Sequence, residues 1–215
     1  NERDVIEAIV APFRATKGCG LLDYRADADH NRLVVSLAGS PEPVQEALLK
    51  AAAVAVQKID MNSHQGAHPR IGAVDVIPFT PVSNISMEEC VALSHSFGER
   101  YWKELGVPVY FYEDSAKRPE RKRLEVIRKG QYETLKTESV TPERAPDVGG
   151  PALHPTAGAT VMGARKFLVA FNVNLNTADE EIAKKIANCV RASSGGFCHV
   201  KGMGVALHER GMAQV

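Results

Sequence analysis

What this chain lacks narrows it first. Among its 215 residues no apolar run approaches the ~18–20 that a bilayer-spanning helix needs, and no signal-peptide pattern opens the sequence. Net charge is missing too: Lys+Arg and Asp+Glu each count 26, so no bulk field draws the chain to nucleic acid or membrane. An anionic ligand must therefore be held by local positive clusters. Cysteine is scarce and scattered. Cys19, Cys90, Cys189 and Cys198 form no CxxC pair and sit in mostly apolar surroundings, which predicts reduced, buried thiols in a cytosolic protein rather than disulfides or zinc. The phosphate-loop patterns, GxGxxG and GxxxxGK followed by Ser or Thr, are absent as well.

What is present can build a core, since 44% of residues are hydrophobic. Val5, Ile6, Ile9, Val10 and Phe13 recur at helical spacing, and residues 18–23 then read as a short strand. A polar link over 25–32 leads into the aliphatic strand 33–37, and Ser40-Pro41-Glu42 starts a helix that runs to Ile59. Residues 74–79 read as a strand. Ser86 with Glu89 makes a capping box, Gly106 follows that helix, and residues 107–112 form another strand. Arg118-Pro119-Glu120 opens a basic helix ending at Gly130, its charges on a solvated face, and residues 134–163 carry little periodicity. The pattern then restarts with the apolar stretch 167–175, a capping box of Thr177 with Glu180, a helix through Val190 and a strand over 200–207. The fold class this predicts is α+β (two-layer α/β), with a boundary near residue 165. Asn1 is not preceded by an initiator methionine, and the last residues stop where a strand begins, so we expect a fragment of a longer protein.

One stretch concentrates polar chemistry between a helix and an inner strand: residues 60–73, with His64 and His68, then Pro69, Arg70 and two glycines. Two histidines four apart would share a helix face for a metal, but Gly66 and Pro69 oppose a helix and the zincin glutamate is missing. Acid–base use of His68 fits better, because an imidazole titrates near neutrality. Asp29-His30-Asn31-Arg32 reads equally as an ordinary turn or as a carboxylate-binding corner with Arg32 as its clamp. The glycines and prolines of residues 147–160 suit either a plain connector or the close approach of a flat ring system.

The run from Ile59 to Phe79 around His68-Pro69-Arg70 closely resembles the glutamate formiminotransferase family, including the domain that animals fuse to a cyclodeaminase. Asn31-Arg32, residues 146–165 and Phe171-Asn172-Val173-Asn174-Leu175 match the same family, and the similarity extends in order over essentially the whole chain. The resemblance implies two subdomains, each a mixed β-sheet covered by helices on one side, with a folate tunnel between them. Residues 1–165 would be the N-terminal subdomain and 166–215 the start of a truncated C-terminal one. It implies a cytoplasmic enzyme of histidine metabolism that moves the formimino group of N-formimino-L-glutamate to N5 of tetrahydrofolate, its co-substrate. Neither a metal nor a nucleic-acid or membrane partner is implied, and a homodimer is expected.

The family's catalytic acid/base falls on His68, and its folate-binding segment on Gly149, Gly150, Pro151, Ala152, Leu153, His154, Pro155, Thr156, Ala157 and Gly158. Both substrates carry glutamate carboxylates, so Arg32, Arg70 and Arg165 are candidate clamps, with Asn172 and Asn174 as neutral hydrogen-bonding groups. This chain departs from the family by lacking its opening C-x-P-N-F-S-E-G strand and by ending early. Val148, Ala157 and the link 27–30 also differ from animal members. Three rivals are kept open: formyl transfer between 5-formyltetrahydrofolate and glutamate, a non-catalytic folate-binding module, and a metal-dependent hydrolase.

Overall fold

A computed structural model describes residues 2–215, apart from the side chain of Glu209. The chain divides into two compact units. The first comprises the chain up to Ala26 with Leu33–Gln65 and Pro69–Phe167; the second comprises Asp27–Arg32, Gly66–His68 and Leu168–Val215. Among the described residues no helix is long and apolar enough to cross a membrane.

The chain begins with helix α1 (Glu2–Ala15), strands β1 (Cys19–Asp27) and β2 (Arg32–Gly39), and helix α2 (Pro41–Lys58). The two strands pair, and a connection this short admits only an antiparallel hairpin. Phe13 of α1 packs with Ala47 and Ala51 of α2 against Cys19, Leu21, Val35 and Leu37 of the strands. Strand β1 runs past Asp23, where the sequence pattern ends it. Tyr24 is tied to α1, its hydroxyl donating to Glu7 at 2.9 Å and accepting from Arg14 at 2.9 Å, and this holds the polar extension in place.

The main core of the first unit is built on β3 (Val76–Phe79), β4 (Val109–Phe111) and β5 (Thr160–Ala164), in the order β3-β5-β4 with both pairings parallel. All five residues of central β5 are buried. Pro78 lies on the edge strand β3, where a missing N–H is tolerated. Alternation sorts the side chains. Ile77, Phe79, Val109, Phe111, Met162 and Ala164 face Leu49 and Ala52 of α2 and Cys90, Phe97 and Tyr101 of α3 (Met87–Leu105). Tyr110, Tyr112 and Val161 face the other way, onto Ile127 of α4 (Leu124–Ile127) and Tyr132 and Leu135 of α5 (Gln131–Glu138). The expected caps of α3 are present: Ser86 and Glu89 bond reciprocally, and Gly106 ends the helix at φ +65°, the left-handed conformation that glycine adopts cheaply.

Two expectations fail in this unit. The basic helix over 118–130 is instead a 3₁₀ turn (Pro119–Lys122) followed by short α4. The cause is Arg121, which lies on no solvated face: its guanidinium pairs with Asp147 at 2.8 Å, both side chains only 4% exposed, and donates to the carbonyls of Glu143 and Ala145. The second failure concerns residues 134–163, which are not an aperiodic loop but contain most of α5 and end in β5. Thr160-Val161-Met162-Gly163-Ala164 is too short to announce itself, and only the neighbouring strands and helices close it in on both faces.

The second unit holds helix α6 (Glu180–Val190) and the antiparallel pair β6 (Val205–Leu207) and β7 (Met212–Gln214). The α+β class therefore stands, with parallel pairing in one sheet and antiparallel in another. The cap of α6 is Asp179, which accepts from Glu181 N–H, rather than Thr177, whose hydroxyl holds Asp179 N–H. Residues 167–172 form no strand, and only 173–175 hydrogen-bond alongside β7. All four cysteines are free; Cys90 is buried and Cys19 half-buried, but Cys189 and Cys198 are exposed, against the expectation of burial.

Candidate active site

Residues 60–73 form an irregular segment whose two halves are held in different ways. As α2 ends, Met61 N–H donates to Thr156 C=O at 2.7 Å, and Asp60 accepts both the backbone and side-chain N–H of Asn62. These bonds favour the ionised Asp60 carboxyl and lower its pKa, the Asn62 backbone N–H contributing most. Asn62 in turn donates to Pro155 C=O at 3.0 Å and accepts from Tyr132 and Lys136.

Arg70 is buried and closely occupied. Its guanidinium grips both oxygens of Glu133, at 2.6 and 2.9 Å, and also donates to Gln131 and to His64 C=O. This charge-assisted fork lowers the pKa of Glu133. Asp75 accepts Ile71 N–H at 2.8 Å and pairs with Arg128, which fixes the exit into β3. In this arrangement Arg70 fastens the segment to α5.

His68 belongs to the second unit, together with the hairpin tip Asp27–Arg32. The structure thus unites the two polar clusters that the sequence shows 36 residues apart at His68 and Arg32. Ala67 N–H donates to Asp29 C=O at 3.0 Å, and the half-buried His68 ring meets the His30 ring edge-on, with centroids 6.4 Å apart and planes at 60°. Asp27 Oδ1 accepts the His30 backbone N–H at 2.9 Å and faces its Nδ1 at 2.7 Å. Its pKa is lowered, chiefly by that backbone bond. Arg210 completes the cluster, 2.9 Å from Asp27 and 3.3 Å from Asp29. Asp27 and Arg210 escaped the sequence reading. The three-residue spacing of Asp27 and His30 was a usable signal; nothing in the sequence pointed to Arg210.

The segment 149–158 lies in the first unit, following Val148, which bonds to Val109 of β4. Gly149, Gly150, Pro151 and Ala152 are exposed, whereas Leu153, Ala157 and Gly158 are buried. His154 and Gly158 exchange backbone bonds of 2.9 and 3.1 Å, closing a tight loop. Inside it His154 Nδ1 accepts from Thr156 and Ala157 N–H, at 3.3 and 3.0 Å. An Nδ1 that accepts must be bare, so the neutral ring carries its proton on Nε2. Burial lowers the His154 pKa and favours that neutral form.

Arg165, also in the first unit, donates to the Tyr112 hydroxyl and to Lys166 C=O. In the second unit Asn172 is exposed and Asn174 accepts from Gln214 at 2.8 Å. The structure therefore gathers His68 with Arg32 in one unit, and Arg70, Arg165 and 149–158 in the other. Among the described residues no three His, Cys, Asp or Glu side chains come together as a metal site.

The chain is thus α+β, with one histidine seated beside a carboxylate-bound histidine and with a separate glycine- and proline-rich loop. A family model described as the formiminotransferase domain, N-terminal subdomain, matches residues 1–165, and the chain belongs to this family. The glutamate formimidoyltransferase of Streptococcus pyogenes serotype M1 is 48% identical over 211 residues, covering 98% of this chain and 71% of that protein. The enzyme of the same name from Thermoplasma acidophilum is 41% identical over 216 residues, or 71% of its length. The formimidoyltransferase-cyclodeaminase of Gallus gallus is 48% identical over 219 residues, but the chain spans only 40% of it.

Proposed function

We propose that this chain is the greater part of a glutamate formimidoyltransferase. It would move the formimino group from N-formimino-L-glutamate to N5 of tetrahydrofolate, releasing glutamate, in the breakdown of histidine. The observation that carries this reading is 48% identity over 98% of the chain to a protein bearing that name.

The chemistry asks for proton traffic at one place. N5 attacks the amidine carbon and forms the new C–N bond, and the carbon becomes tetrahedral. N5 must then lose its proton, and the glutamate nitrogen must gain one before its own C–N bond breaks. A single imidazole performs both transfers in turn, first as base and then as acid. His68 is assigned that role: its half-buried ring sits beside His30, in a segment fixed to the hairpin tip. Gly149 to Gly158 are assigned to the folate, with neutral His154 keeping the loop closed. Arg32, Arg70 and Arg165 are assigned as carboxylate contacts, with Arg70 shared with Glu133; Asn172 and Asn174 would supply neutral hydrogen bonds. We assign residues 1–165 to one subdomain and 166–215 to the start of a second, in a cytoplasmic homodimer that uses tetrahydrofolate without a metal.

Transfer assays on wild type and His68→Ala test the reading. Wild type is expected to consume formiminoglutamate faster than 5-formyltetrahydrofolate plus glutamate, and His68→Ala to lose at least ~10²-fold in kcat with its fold intact. Near-normal turnover of the variant would overturn the assignment of His68. Preference for the formyl donor would overturn the substrate, and folate binding without turnover would leave only a binding module.

A further inference from the structure

The Asp27–His30 pair is unused in the scheme above, yet it is held by several bonds: from the His30 backbone N–H, from the His30 ring and from Arg210. We propose that this pair, at the tip of the β1–β2 hairpin, is a positioning element that fixes the orientation of the His68 ring for proton transfer. The proposal deepens the acid/base reading of His68 and rests on it.

Backbone geometry carries the first part of the argument. Residues Gly66–His68 lie directly on the hairpin tip, through the bond from Ala67 N–H to Asp29 C=O. A Cβ on Gly66 would come 2.4 Å from His30 O and 2.7 Å from the Asn31 Cβ, so only glycine lets the two backbones meet. Asn31 turns the tip with φ +46°, a conformation asparagine tolerates better than most residues. The chain that bears His68 is therefore registered on the residues that bear His30.

The side chains carry the second part. The His30 side chain is 10% exposed, and one oxygen of Asp27 takes both its backbone N–H and its Nδ1. Two bonds to one atom lock the ring torsion. The other Asp27 oxygen is held by Arg210 at 2.9 Å, so the carboxylate cannot swing away. With Nδ1 donating to the carboxylate, the neutral ring presents a bare Nε2. The locked ring then meets His68 edge-on. Orientation is passed from Arg210 through Asp27 and His30 to His68. A hairpin turn alone would need Asp27 and a backbone N–H at residue 30, but no ring there.

That difference sets the experiment. In His30→Asn the side-chain amide reproduces the Nδ1 donor toward Asp27 while the ring is removed. Long-range ¹H–¹⁵N spectra of the imidazoles and steady-state kinetics are recorded for wild type, for His30→Asn and for Asp27→Asn as a second variant. The expected result is a retained fold, displaced His68 ring signals, and kcat lowered about tenfold while KM for both substrates changes less than about twofold. Asp27→Asn is expected to move the same signals by less. Unmoved His68 signals in both variants overturn the proposal, as does a raised KM with unchanged kcat. If wild type proves inactive in formimino transfer, the functional reading falls, and the His68 signals alone decide the positioning role.

Discussion

Residues 160–164 and 167–173 are near neighbours in the chain, both apolar and both extended in tendency, yet they end in opposite environments. Every residue of β5 is buried, paired on both sides and packed on both faces. Phe167, Leu168, Val169 and Phe171 are 65–88% exposed, and no strand pairs with them. The segment richer in large apolar side chains is the one that does not become a strand. A strand is completed by the N–H and C=O groups beside it, and these are supplied by other parts of the chain. β5 took the centre because two strands and two layers of side chains close on it.

Substitutions on either side of this contrast test it. Phe97→Ala, under the buried sheet, is expected to destabilise the protein by about 4 kcal/mol in urea unfolding, through lost burial and the cavity left behind. Asp147→Ala strips the partner from buried Arg121 and frees the N–H of Phe111; a loss of about 3 kcal/mol is expected by the same measurement. A smaller effect is expected at His154, whose folded pKa lies below its ordinary value of 6.5. Because the folded state favours the neutral ring, its contribution is complete above about pH 6.5 and is lost as pH falls through the lowered pKa. His154→Asn keeps an acceptor for the two N–H groups without titrating, so its stability should fall less than that of wild type between about pH 7 and pH 5. Last, Phe171→Ser should alter stability by no more than about 0.5 kcal/mol. A cost of several kcal/mol there would erase the contrast with β5.

Much of the candidate site was legible. His68 stood out by its neighbours Pro69 and Arg70, and Asp29-His30-Asn31-Arg32 stood out as a polar cluster before a strand. What stayed hidden was that these clusters adjoin, that Asp27 holds His30, and that Arg210 closes the group from far along the chain. Arg70 shows what local sequence leaves out. Beside the histidine it reads as a substrate clamp, whereas its guanidinium is taken up by Glu133, 63 residues away. An arginine looks the same in sequence whether its partner is a ligand or another side chain.

The sequence by itself determined the long helices and their ends. Helix α2 behind Ser40 and Pro41, and α3 between its capping box and Gly106, follow from local spacing and local hydrogen bonds. It also determined the family, because the residues around His68 recur there in the same order. Tertiary structure alone decided which extended segments became strands, which arginines were consumed in buried pairs, and which histidine came to lie beside His68. Each of those outcomes depends on a partner distant in the chain, and neither a strand nor an ion pair exists until that partner arrives.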